Sequence, residues 1–234
     1  MENLCNYMQE IAGLHAEVLG VGFDLLNSRD LTWVLARWQV NIAELPRAQD
    51  EVVLETWPST VERLRCRREF RLCDAAGNIL ARASSWWVVV NNKTFKLERV
   101  PEFIKDIYPA SAEHALDEFS LRLPQVKDVD AAVRAAVRWS DIDVNEHVNN
   151  ANYLDWVLQS VPRAAGERCL SRGLRQFEIN FKSEARLGDI LEACCVEVAG
   201  EEHAFAHSVY ADNGRREVIR AYTSWDWNRK DGQQ

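Results

Sequence analysis

The sequence has no apolar run near the ~20 residues needed to span a bilayer. Its longest candidate, Trp86 to Val90, is strand-sized. The opening Met1-Glu2-Asn3-Leu4 has no basic stretch leading into an apolar one, so no secretory signal is expected. Cationic excess is also missing: 28 Lys and Arg stand against 36 Asp and Glu, a formal net charge of -8. General nucleic-acid binding is therefore not expected, because it needs a basic face. None of the six cysteines (Cys5, Cys66, Cys73, Cys169, Cys194, Cys195) forms a CxxC pair or has metal-ligand spacing. Reduced thiols packed as small apolar groups are expected, and with them a cytoplasmic location. No metal and no cofactor are expected.

What the sequence does contain is itself, twice. Asp74-Ala75-Ala76-Gly77, followed by a run ending at Trp86-Trp87, is echoed by Asp212-Asn213-Gly214 and a run ending at Trp225. Each reads strand, glycine-containing turn, strand. Trp38-Gln39-Val40-Asn41-Ile42 resembles Phe177-Glu178-Ile179-Asn180-Phe181, both alternating apolar and polar as half-buried strands do. Asp50 to Glu55 resembles Asp189 to Ala193. The copies keep their order and nearly their spacing.

Each copy also has a helical pattern before its strands. In the second, Asn149 and Asn150 are suited to cap a helix through Tyr153, Leu154, Trp156, Val157, Leu158 and Val161, ended by Pro162. In the first, Leu14, Val18, Leu19, Phe23 and Leu26 mark the equivalent region, with Gly20 and Gly22 interrupting it. One helix and several antiparallel strands, repeated, is an α+β plan. A sheet wrapped around one apolar helix is the hot-dog arrangement. The expectation is a tandem (double) hot dog: an N-terminal half over 1–100, a connection over 101–130 and a C-terminal half over 131–234. The connection should lie on the sheets, since Phe103, Ile107, Tyr108, Leu116 and Phe119 need burial.

The densest polar stretch is Arg138-Trp139-Ser140-Asp141-Ile142-Asp143-Val144-Asn145-Glu146-His147-Val148-Asn149-Asn150. If extended, it puts Asp141, Asp143, Asn145 and His147 on one side, with Ile142, Val144 and Val148 on the other. A helix begins directly after it. A carboxylate, an amide and an imidazole beside a helix start suit attack on a thioester. A carboxylate or imidazole takes a proton from water, and backbone N–H groups stabilise the oxyanion. The same pattern also suits a plain turn and cap.

This stretch, with Ala151, Asn152, Tyr153 and Trp156, resembles the signature of the acyl-carrier-protein (ACP) thioesterases, R-W-x-D-x-D-x-N-x-H-V-N-N-x-x-Y. Gly22-Phe23, Leu31-Thr32-Trp33-Val34, Arg37 and Trp86-Trp87-Val88 match the family in the first half, so the likeness runs from about Gly20 to Trp225. The resemblance implies a tandem hot dog that releases free fatty acid from ACP. It implies a catalytic set of Asp143, Asn145, His147 and Glu184, with oxyanion donors at the helix start near Asn149 and Asn150. A cysteine nucleophile proposed for the family would follow the glutamate. Ala185 stands there, which leaves Glu184 as base toward water or as nucleophile.

The first half has no Asn-x-His counterpart between Gly22 and Asp30, so one active site per chain is expected. That half is free to shape an acyl pocket, with Trp33, Leu35, Trp57, Trp86 and Val88 as candidate lining, or as plain core. Arg63, Arg65, Arg67 and Arg71 would share one strand face, with Glu69 interrupting them. The stripe is a candidate ACP-docking surface, or a solvated sheet face. A homodimer is neither required nor excluded. Hydrolysis of acyl-coenzyme A on the same fold is the alternative; a hot-dog dehydratase and an inactive lipid-binding module are more distant ones.

Overall fold

A computed structural model describes residues 1–108, 111, 113–117, 119, 122–127, 129, 132–143, 145–161 and 173–226. The chain separates into two units, Asn3–Phe119 and Ser120–Gln234, the second including Met1–Glu2.

The first unit contains helix α1 (Glu2–Val18), short α2 (Phe23–Asn27) and strands β1 (Leu31–Ile42), β2 (Val52–Val61), β3 (Cys66–Asp74) and β4 (Ile79–Asn91). The two-residue β5 (Leu97–Glu98) and helix α3 (Glu102–Ile107) complete it. Its strands are antiparallel in the order β2-β3-β4-β1, with β5 on β4. Edge strand β2 carries Pro58 and is bulged between Pro58 and Thr60.

The second unit has β6 (Val133–Ala136), a 3-10 turn (Trp139–Asp141), helix α4 (Tyr153–Gln159) and strands β7 (Leu174–Phe181), β8 (Ile190–Glu197), β9 (Ala204–Ala211) and β10 (Arg216–Trp225). Its antiparallel order is β7-β10-β9-β8-β6. Counting the four long strands of each unit in chain order, both sheets read first, fourth, third, second. The sequence repeat is therefore a repeat of topology.

Both expected hairpins are present. At the first, the Asp74 carboxylate accepts the Ala76 and Asn78 N–H groups at 2.9 and 2.8 Å, and Gly77 takes φ 86°. At the second, Asp212, Asn213 and Gly214 all have positive φ, which residues of these types tolerate better than most.

The first helix lies further toward the N-terminus than the expected pattern. Cys5, Met8, Ala12 and Ala16 form its buried face, while Leu14, Val18 and Phe23 are exposed. Gly20, at φ 71°, ends it: the Gly20 and Val21 N–H groups donate to the carbonyls of Glu17 and Ala16, both at 2.9 Å. A left-handed glycine closing a helix turns the chain away, so one helix cannot run from Leu14 to Leu26.

The second helix starts at Tyr153 rather than at Asn149. The Asn149 side chain accepts the Ala151 N–H, and its carbonyl accepts the Asn152 N–H, both at 2.9 Å. This asparagine turn competes with the helix and delays it. Tyr153, Leu154, Trp156 and Val157 are the buried residues of α4, which packs on β8 and β9. Pro162, Val144 and Cys169 lie outside the described residues; the five described cysteines are free thiols.

The connection lies on the sheets. In the first unit it crosses the face opposite α1: Trp57 Nε1–H donates to the Glu113 carbonyl at 3.0 Å, and the Phe119 and Trp86 rings are 6.1 Å apart. In the second, the Val126 N–H donates to Ser208 Oγ at 3.0 Å and the Tyr210 hydroxyl to the Val126 carbonyl at 2.6 Å. Tyr108 is buried as expected, and Phe103, Leu116 and Phe119 are partly so. Ile107 is exposed instead, because α3 turns Ile104 inward.

Candidate active site

The polar segment is not extended. Ile142 and Val148 form an isolated antiparallel bridge, and the chain reverses between them. The Asp143 N–H donates to the His147 carbonyl at 2.9 Å, and the Glu146 N–H to the Asp143 carbonyl at 3.1 Å. Glu146 takes φ 63°, the left-handed conformation that allows the reversal. The Asp143 carboxylate accepts the Asn145 N–H at 2.8 Å. Asp143 therefore shapes the turn that presents Asn145 and His147. The Asn145 side chain is exposed.

Asp141 does not join this group, contrary to the alternation. It is buried and accepts the Arg138 N–H at 2.7 Å and Arg138 Nη2 at 2.8 Å. Burial alone would raise its pKa. The Arg138 hydrogen bonds and positive charge outweigh burial and hold the carboxyl below the usual range. The Asp141 carbonyl accepts the Asn149 N–H at 2.9 Å and the Asn152 side-chain amide at 3.1 Å. Asn149, expected to supply an oxyanion donor at a helix start, thus has its N–H committed to Asp141. Asn150 lies in the turn before α4, half-buried.

His147 and Glu184 meet: Nε2 of the histidine is 2.9 Å from Oε2 of the glutamate. Glu184 sits in the segment between β7 and β8, and the residue after it is clamped. The Val148 N–H donates to the Ala185 carbonyl, and the Ala185 N–H to the Tyr153 hydroxyl, both at 2.9 Å. Ala185 is fully buried, so a side chain at that position would point into packed protein. Arg216, from β10, donates to the Glu184 carbonyl and pairs with Asp189 at 2.9 Å.

Sequence reasoning assigned no role to Tyr153 or Arg216. Tyr153 closed the quoted motif, which was a signal. Its ring lies 5.9 Å from those of Trp156 and Phe181, and burial raises its hydroxyl pKa well above the usual value. Arg216 appeared only as one charge after a hairpin turn.

Two groups of candidates are not brought together. The proposed acyl-pocket residues divide between opposite sheet faces. Trp33 pairs with Val89 and Leu35 with Trp87, whereas Trp86 and Val88 alternate with those partners. Trp57 is opposite Glu69, which is opposite Ser84, on the Trp86 face. That face carries residues 113–119, while Trp33 joins a core cluster with Val21, Leu26 and Ile104. Side chains on both sides of one sheet cannot line one cavity.

The arginine stripe does not share one face either: Arg63 and Arg65 are exposed, whereas Arg67 is buried. Arg63 and Arg65 precede β3, in the turn after β2. Arg65 pairs with Glu62 at 2.7 Å and lies 4.0 Å over the Trp86 ring. Arg67 is only 6% exposed, and its Nε is 2.7 Å from Oε1 of Glu69, which is 0% exposed. It also donates to the Leu116 and Asp117 carbonyls at 2.5 and 3.0 Å. Glu69, read as an interruption of the stripe, is the buried counterion that draws Arg67 inside.

Comparison with known proteins agrees with the fold and the motif. Residues 1–108 match the acyl-ACP thioesterase N-terminal domain, and residues 125–227 the acyl-ACP thioesterase C-terminal domain. A chloroplastic acyl-[acyl-carrier-protein] hydrolase of Cuphea viscosissima is 32% identical over 241 residues, covering 96% of this chain and 58% of that protein. The chain thus spans under two thirds of the length of this relative. The crystal structure of an acyl-ACP thioesterase from Bacteroides thetaiotaomicron superposes with TM-score 0.86 at 30% identity, over 97% of this chain and 89% of that one. A 12:0-ACP thioesterase from Umbellularia californica gives TM-score 0.81 at 28% identity, over 96% and 89%. Two hot-dog halves in tandem, with the motif in the second, place this chain in the acyl-ACP thioesterase family.

Proposed function

We propose that the protein hydrolyses the thioester of fatty acyl-ACP, releasing free fatty acid and ending chain elongation. The observation that carries this is the 2.9 Å contact between His147 and Glu184, held by a turn on one side and the Ala185 clamp on the other. The C-terminal half carries the chemistry. The His–Glu contact of the N-terminal unit, His114 Nδ1 to Glu69 Oε1 at 3.2 Å, is tied into the buried Arg67 network instead, and this half serves the acyl chain.

In the proposed reaction Glu184, 2.9 Å from His147, takes a proton from water as the water oxygen bonds to the thioester carbon. The Asn145 amide, rather than the engaged Asn149 N–H, donates to the carbonyl oxygen as it becomes negative. The carbon–sulfur bond then breaks, and the proton passes to the leaving thiolate. Asp143 acts through the turn backbone. No described helix is long and apolar enough to cross a membrane. None of the five described cysteines forms a disulfide, which suits a reducing compartment, and we place the protein in the cytoplasm.

Glu184→Gln keeps the side-chain shape and removes the base. Release of fatty acid from acyl-ACP should fall by roughly 10²- to 10⁴-fold in kcat, with the melting temperature preserved. A folded variant turning over at the wild-type rate would remove Glu184 from the mechanism. A single turnover in ¹⁸O-labelled water separates the two chemistries. Label in the fatty acid alone supports water attack, and label in Glu184 indicates an anhydride.

A further inference from the structure

The bracket between Arg138 and Asp141 explains three of the four residues at the start of the motif. It does not explain Trp139, which stands 79% exposed in the middle of the 3-10 turn. A large indole in water is unfavourable unless something covers it. Leu187, 52% exposed, is close by, and the two line an open cleft of about 640 Å³ with Ile142, Asp143, Glu146 and Arg186. That volume is in the range of small-molecule sites. Among the described residues, the exposed Arg186 guanidinium has no ion pair; only its backbone N–H is engaged, with Asp189 at 3.0 Å.

The cleft is continuous with the candidate active site. It shares Asp143 with the catalytic turn, and Arg186 and Leu187 follow directly on Glu184 and Ala185. Its chemistry does not suit a fatty tail, which would need an enclosed apolar channel. It suits a chain that alternates branched methyl groups, amides and one anion. We propose that the cleft receives the phosphopantetheine arm of the acyl carrier. Trp139 and Leu187 pack on its geminal methyl groups, Asp143 and Glu146 face its amide N–H groups, and Arg186 meets its phosphodiester. This rests on the thioesterase reading above and assigns a docking point that the buried Arg67 cannot supply.

The test uses one acyl chain on four handles: carrier protein, 4′-phosphopantetheine, pantetheine, and N-acetylcysteamine, which keeps only the sulfur end. Trp139→Ala should lose about tenfold in kcat/KM on the first three, roughly what two buried methyl groups contribute. The loss on N-acetylcysteamine should be markedly smaller, and Trp139→Phe should recover most of the difference. Arg186→Met should lose more on the two phosphate-bearing handles than on pantetheine. Equal losses by Trp139→Ala on all four handles, or no loss on any, would overturn the cleft assignment while leaving the thioesterase reading intact. Equal losses by Arg186→Met with and without phosphate would overturn the phosphodiester contact. A wild-type protein that cleaves none of the four would sink both readings together.

Discussion

The third long strand of each half buries titratable side chains, and the two strands solve the problem in opposite ways. In the N-terminal half Glu69 is paired with Arg67. Its carboxylate also accepts from the Ser59 and Ser84 hydroxyls and from the Ala115 N–H, with His114 at 3.2 Å. In the C-terminal half His207 sits between two hydroxyls, Ser160 Oγ and Thr223 Oγ1, each at 2.9 Å. Ser160 gives its proton to the Val157 carbonyl at 2.8 Å, so it accepts from His207 Nδ1–H, and Nε2 accepts from Thr223. Burial pushes the His207 pKa down to about 3. A buried charge is tolerable when a counterion accompanies it; without one the group stays neutral. The N-terminal half thus uses ionic chemistry to fasten its connecting segment. The third long strand of the C-terminal half keeps its buried histidine neutral, and the candidate acid–base pair lies at the accessible turn.

The strongest challenge to this contrast is Glu69→Gln, which strands the Arg67 charge inside. Loss of one partner of a buried pair costs on the order of 3–5 kcal/mol, so the denaturation midpoint should drop sharply. The fraction that remains folded should keep its kcat. A large fall in kcat at full stability would mean that the network belongs to the reaction.

The neutral solution makes a pH-dependent prediction. The unfolded chain protonates His207 near its ordinary 6.5, whereas the folded chain resists until about 3. The unfolded state therefore binds more protons in that window, and stability falls as pH drops below 6.5. The loss from this group should reach about 2 kcal/mol at pH 5. Urea melts of the wild type and His207→Gln across pH 7 to 5 check it: the wild type should lose that much more than the variant over the same range. Parallel slopes would show that His207 is not the group responsible.

The smallest expected effect sharpens the contrast from the catalytic side. Tyr153→Phe removes the acceptor of the buried Ala185 N–H. Stability should fall by about 1–3 kcal/mol. Because Glu184 precedes that clamp, kcat should fall about tenfold with KM little changed. Loss of stability with an unaltered kcat would mean that the clamp does not aim Glu184.

The strands, both hairpins and the repeat were legible because period-2 alternation and turn residues are local signals. His147 stood out in the polar pattern, but its partner Glu184 was legible only through the resemblance, since nothing local relates a turn to a segment beyond the next helix and strand. The first helix was misplaced because its buried face uses small side chains, Cys5, Ala12 and Ala16, which carry little hydrophobic signal. The extended reading of the polar segment missed the left-handed Glu146, a conformation that glutamate rarely advertises. Arg67 was misread because alternation places a residue on a face without saying whether that face is wet. Only the tertiary arrangement of Glu69, Ser84 and residues 116–117 makes it dry.

Among the described residues no strand lies beyond β2 in its unit, and such a flank invites another chain to add on. Pro58 has no N–H to offer an incoming strand, and the bulge beside it breaks the regular spacing an added strand would need. At the far side of the second sheet, β6 is only four residues long, a short template for an incomer. Both strands thus carry features that disfavour edge-to-edge addition, a matter apart from the chemistry at the candidate site.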